Sequence, residues 1–230
     1  MRTFTKAALA SAILGAALIA PTAHAAVTLV FDQSNIVSIP GLTGFATNGA
    51  MMDGLGVTAT FADGSSNALS WADTGATSGG VTSANRWSLN QSGNTFSNDW
   101  FFSFLGGYAS NLTNLVLNGV GNFTVFDTTN PNPGTPGSAQ GINFGNLVPD
   151  ADVTATYSNM VAIGAAAAVG DLFQTLSLDF GANGVGANFR FRQDTDNDLR
   201  AAQVPEPGTL VLLGLALAAV GATTRRRKTA

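Results

Sequence analysis

Two stretches late in the chain constrain its fold more than any other feature. Over 172–180, Leu176, Leu178 and Phe180 alternate with Thr175, Ser177 and Asp179. Over 187–193, Phe189 and Phe191 alternate with Arg190 and Arg192. Period-two alternation sends apolar side chains to one face and polar ones to the other, as in a half-buried strand. Stretches 27–32, 57–61, 68–71, 99–105 and 153–157 read as further strands, and Trp87 and Leu89 suit another. Stretches 112–118 and 122–127 flank Gly119-Val120-Gly121 and predict a tight hairpin. Stretch 34–52 reads as a loop or irregular edge, 73–84 as a long loop, and 162–169 as a helical turn weakened by Gly164 and Gly170. Pro131, Pro133 and Pro136 mark 128–141 as a flexible or extended loop within one domain. About ten short strands without a long amphipathic helix predict an all-β fold, an antiparallel β-sandwich of jelly-roll type.

Neither end of the chain enters that fold. Arg2 and Lys6 precede an apolar run over 7–20, and Ala23-His24-Ala25 forms an A-x-A site, so residues 1–25 read as a signal peptide cleaved before Ala26. At the other end, Val204-Pro205-Glu206-Pro207 precedes 17 uncharged residues, 208–224, and then Arg225, Arg226, Arg227 and Lys228. As a helix the uncharged run spans about 25 Å against a bilayer core of roughly 30 Å, a short transmembrane span. The basic cluster acts as a stop-transfer signal and places that end in the cytoplasm. Residues 26–203 remain as the exported domain, with 204–230 as a sorting and anchor segment.

Charge and composition narrow the chemistry of that domain. The net charge of −4 hides a strong partition, because both ends are basic while 26–203 holds thirteen Asp against four Arg. A domain at −9 carries no electrostatic footprint for nucleic acid. The chain has no Cys, its one His leaves with the signal peptide, and 26–203 contains neither Lys nor Glu. Triads built on His, thiolate chemistry, Schiff bases and zinc sites of the usual ligands are therefore excluded.

The order Pro-Glu-Pro, apolar run, basic cluster resembles the PEP-CTERM sorting signal of exported bacterial proteins. Phe189 to Leu199, directly ahead of it, also resembles the end of the exported domain in such proteins. The resemblance implies recognition of Val204, Pro205, Glu206 and Pro207 by an exosortase-type membrane enzyme and cleavage near that motif. It further implies transient anchoring in the inner membrane and delivery to the cell surface or extracellular matrix. Family members are linked to exopolysaccharide and biofilm, so the expected function is that of a non-enzymatic surface or matrix protein.

Three site readings accompany this expectation. Asp194, Asp196 and Asp198 alternate like the opening of a calcium loop, with oxygens converging on a hard cation. The pattern departs from an EF-hand at Leu199 and Pro205, which leaves a weak Ca²⁺ site or an acidic, solvated linker. No other cofactor is expected. Trp71, Trp87 and Trp100 read as core residues, or as a sugar-stacking platform if exposed, which would suit a calcium-assisted carbohydrate-binding module. Asp150 with Asp152, or Asp127 with Asp179, would be the carboxylate pair of a remote third reading, an Asp-dependent glycoside hydrolase. The spacing selects none of these Asp over the others, and the sequence assigns no catalytic residue.

Overall fold

A computed structural model of the chain describes residues 25–131, 134–138 and 140–198. The expected signal peptide up to His24, the sorting motif, the apolar span and its basic cluster lie outside these residues. No helix among the described residues is long and apolar enough to cross a membrane.

The described chain forms fifteen strands in two sheets, with one short 3₁₀ turn at Gly49–Met52. The larger sheet is built from β1 (Val27–Phe31), β2 (Ile36–Ile39), β3 (Gly56–Phe61), β4 (Ser66–Ser70), β9 (Leu112–Asn118), β10 (Thr124–Asp127), β12 (Val153–Ile163), β13 (Leu172–Asp179) and β15 (Asp194–Asn197). Its main path runs β1-β12-β13-β9-β3-β4. The smaller sheet runs β11 (Gly145–Val148), β14 (Phe189–Arg192), β8 (Trp100–Phe104), β7 (Trp87–Ser92), β6 (Ser78–Ser83) and β5 (Ala72–Gly75).

The alternation seen in the sequence fills the space between the sheets. Val57, Ala59, Phe61, Leu115, Leu117, Leu176, Leu178 and Tyr157 of the larger sheet join one buried cluster with Trp87, Leu89, Trp100, Phe102, Phe189 and Phe191 of the smaller. All three Trp are buried, at no more than 1% exposure. They belong to the core and offer no stacking platform for a sugar. Trp100 stacks on Phe191 with centroids 5.8 Å apart, and Phe102 on Phe189 at 5.0 Å.

The structure departs from the sequence reading at several points. The larger sheet is not purely antiparallel, because β1 and β2 both pair in parallel with successive parts of β12. Stretch 73–84 is no loop. It forms β5 and β6, whose Gly79 and Gly80 lie in a ladder. Stretches 112–118 and 122–127 do not pair as a hairpin. Strands β9 and β10 instead pair antiparallel with consecutive parts of β13, so 119–123 is an excursion from one continuing edge. Stretch 162–169 forms no helical turn, since β12 runs on to Ile163.

Between β14 and β15 the chain crosses from the smaller sheet to the larger at a single residue, Gln193. A buried crossing strands backbone polar groups, which must find partners. The Gln193 carbonyl accepts from the Trp100 indole at 3.0 Å. Its side-chain amide, with two protons, lies within hydrogen-bond distance of the carbonyls of Asp194, Asp127 and Ile142, while its oxygen accepts from the Tyr157 hydroxyl.

Candidate functional site

Directly after that crossing lies a closed cluster of acids. Strand β15 pairs antiparallel with β10, placing Asp194 opposite Asp127 and Asp196 opposite Val125. Period-two geometry then turns Asp194 and Asp196 to the same face as Asp127. Thr195 and Asn197 point the other way, toward the Met52 sulfur and the Met51 carbonyl. Carboxylate oxygens of Asp127, Asp194 and Asp196 lie within 4.8 Å of one another. All three residues are buried, at 1%, 3% and 0% exposure.

A Pro/Gly-rich loop covers the cluster, where the sequence suggested a flexible or extended one. Ser138 Oγ sits 3.1 Å from Asp127 Oδ2 and 2.9 Å from Asp196 Oδ2. Nearby Asp171 accepts from the Thr135 amide and hydroxyl. Gly141 packs so tightly on Asp127 that a Cβ there would lie 2.4 Å from its backbone carbonyl. Glycine is required for this approach. Asp194 Oδ1 accepts from Thr95 Oγ1 and the Thr195 amide, both at 2.9 Å. Oδ1 of Asp127 and Oδ1 of Asp196 are buried without a hydrogen-bond partner.

These surroundings raise the affinity of the carboxylates for protons. Burial, then the charges of Asp196 and Asp194, push the Asp127 carboxyl up to about 8. Burial lifts Asp196 to about 7 and Asp194 to about 6, with Ser138 and Thr95 opposing respectively. Low polarity disfavours the charged form, and like charges add to the effect.

Of the metal ligands expected from the sequence, Asp194 and Asp196 join the cluster, whereas Asp198 is buried outside the group of three. Stretch 194–197 is a buried strand, so the solvated-linker alternative does not hold. Asp127 enters as a partner that the sequence had paired with Asp179. Those two stand apart, because Asp127 lies opposite Leu172 and Asp179 closes the same strand seven residues on. At ~3.4 Å per residue that is roughly 24 Å, beyond the ~5–9.5 Å a glycosidase pair needs. Asp150 and Asp152 are exposed ahead of β12, with Asp152 accepting from the Ala26 amide. Ser138 and Thr95 carried no sequence signal, since lone hydroxyl residues in loops have many uses.

The outer face of the larger sheet is the second chemical feature. One register row reads Thr28, Thr154, Asp179, Asn114, Thr60, Ser66 across six strands. The next reads Val30, Thr156, Ser177, Val116, Thr58, Ala68. None of these residues is buried, and Asp179 is the one charge among them. Two open hollows, of about 320 and 450 Å³, flank Asp179 at the end of the face.

No curated protein and no solved structure matches the chain. Residues 203–228 match the family described as the PEP-CTERM protein-sorting motif. The match begins five residues after Asp198, so the acidic strand and the sorting signal are near neighbours in sequence. The chain therefore carries a PEP-CTERM sorting motif and is an exported protein sorted by an exosortase to the surface or the extracellular space.

Proposed function

We propose that the exported domain is a non-enzymatic component of the cell surface or extracellular matrix that associates with exopolysaccharide. The observation that supports this reading is the outer face of the larger sheet. It presents hydroxyls, amides and small apolar groups in register rows, with strands spaced about 4.8 Å apart and a single carboxylate among the two rows. A neutral polysaccharide offers hydroxyls and C–H faces along an extended chain. Such a chain can exchange its water contacts for the Thr, Ser and Asn groups without burying a charge. Processing at the tail frees the domain from the membrane after export.

The experiment is co-sedimentation of the purified chain with polysaccharide from the producing cells. Binding is expected for the unaltered chain and is expected to fall when Thr156 and Ser177, paired in one row, are both changed to Asp. Equal binding by both chains, or binding by neither, would sink the reading.

A further inference from the structure

We propose that Asp127, Asp194 and Asp196 together bind one calcium ion, which pins β15 to β10 ahead of the sorting motif. This does not depend on the polysaccharide reading. The first support is geometric. Calcium takes oxygens at about 2.3–2.6 Å, so oxygens on opposite sides of one ion stand about 5 Å apart. A group whose oxygens fall within 4.8 Å of one another can surround such an ion without moving its strands.

The second support is the unmet bonding. Oδ1 of Asp127 and Oδ1 of Asp196 are interior oxygens that no hydroxyl, amide or basic group reaches. Buried polar atoms are seldom left so, and an orphaned one needs a reason such as an ion. Ser138 does not meet these two atoms, because its hydroxyl approaches the other oxygen, Oδ2, of each carboxylate. No basic side chain among the described residues neutralises the group either. Among the described residues both ion pairs go to Asp99, and Arg86 lies over the Tyr108 ring.

The donor set identifies the ion. It consists of carboxylate oxygens, with neither His nor Cys in the domain, which disfavours zinc and copper. Magnesium keeps several waters and is seldom held by an all-protein cage, whereas calcium accepts irregular sets of protein oxygens. Strand β15 is four residues long and ends eight residues before Pro205. An ion bridging β10 and β15 therefore fixes the last of the described strands ahead of the processed tail.

The test uses the full chain, purified in detergent and stripped of metal with EDTA. Calcium at a hundredfold excess over Kd is expected to raise Tm by about 5–10 °C. Terbium in the same site is expected to luminesce on excitation of Trp100 and Tyr157, which both hydrogen-bond Gln193 beside Asp194. Calcium should displace that signal. Asp196→Asn is expected to lose both responses, while Asp150→Asn, at an exposed position, keeps them. An unaltered chain indifferent to millimolar calcium would overturn the proposal, as would an Asp196→Asn chain with the full response. If Asp196→Asn fails to fold, the terbium titration of the unaltered chain decides, and no calcium-displaceable signal means no site.

Discussion

Strands β14 and β15 follow one another with only Gln193 between them, and they dispose of charge in opposite ways. In β14, Phe189 and Phe191 enter the core while Arg190 and Arg192 face outward and meet Asp99 at 3.0 and 2.7 Å. In β15 every residue is buried, and its two charges turn inward. The first strand follows the ordinary amphipathic rule and stands on apolar packing. The second has no apolar residue, so its stability depends on how many interior oxygens find a donor or a cation. The described residues thus hold a self-sufficient aromatic end and an oxygen-rich end that needs something added.

The largest effect is expected where β14 meets the core. Phe191 is fully buried between Trp100 and Phe144, and Phe191→Ala should destabilise the domain by about 3–5 kcal/mol in denaturant unfolding. The contrast sharpens at β15, where Asp127→Asn should act with the opposite sign in the metal-free protein. The amide can donate to an orphaned acceptor and removes one of several crowded charges. A gain of roughly 1.5–3 kcal/mol at pH 8 is expected. A loss of that size in EDTA would mean that the carboxylates already satisfy one another.

A pH scan separates the two strands further. The folded pKa of Asp127, about 8, and of Asp196, about 7, both lie above the unfolded carboxyl range near 4. Between these limits the native state holds more protons than the unfolded chain, so stability falls as pH rises. In EDTA, Tm is expected to be highest near pH 4–5 and to decline through pH 8. Calorimetry that finds the metal-free chain more stable at pH 8 than at pH 5 would show that the cluster does not bury its charge. Asp127→Asn should shallow the slope.

How legible these two ends were in the sequence follows from the same contrast. The strands β3, β8, β9, β13 and β14 could be read because each buries one apolar face, and their registers join them in one core. Strand β15 could not, since Asp-Thr-Asp-Asn carries no apolar alternation and matches a solvated linker equally well. Strands β5 and β6 were hidden for a related reason, their glycines and hydroxyls reading as loop. The alternation of Asp194 and Asp196 did suggest converging oxygens. Asp127 lies 67 residues earlier, however, and only the pairing of β10 with β15 brings it there. That pairing depends on the excursion over 119–123, whose paired Gly looked like a tight hairpin.

The smallest effect belongs to the outward charges of β14. Asp99, itself 10% exposed, bridges Arg190 and Arg192, whose side chains are 49% and 24% exposed, so water screens part of the attraction. Asp99→Asn should cost only about 0.5–1 kcal/mol, and the cost should shrink as salt rises. The comparison predicts a difference in kind as well as size. Salt weakens the β14 bridge by screening, whereas at β15 it cannot replace a bound divalent ion. Unfolding of the calcium-loaded chain and of Asp99→Asn in low and high sodium chloride tests this. The gap between them should close with salt while the calcium-dependent rise in Tm persists. A calcium effect that vanishes at the same salt concentration as the Asp99 effect would mean that both strands are served by diffuse counterions, and the distinction between them would fail.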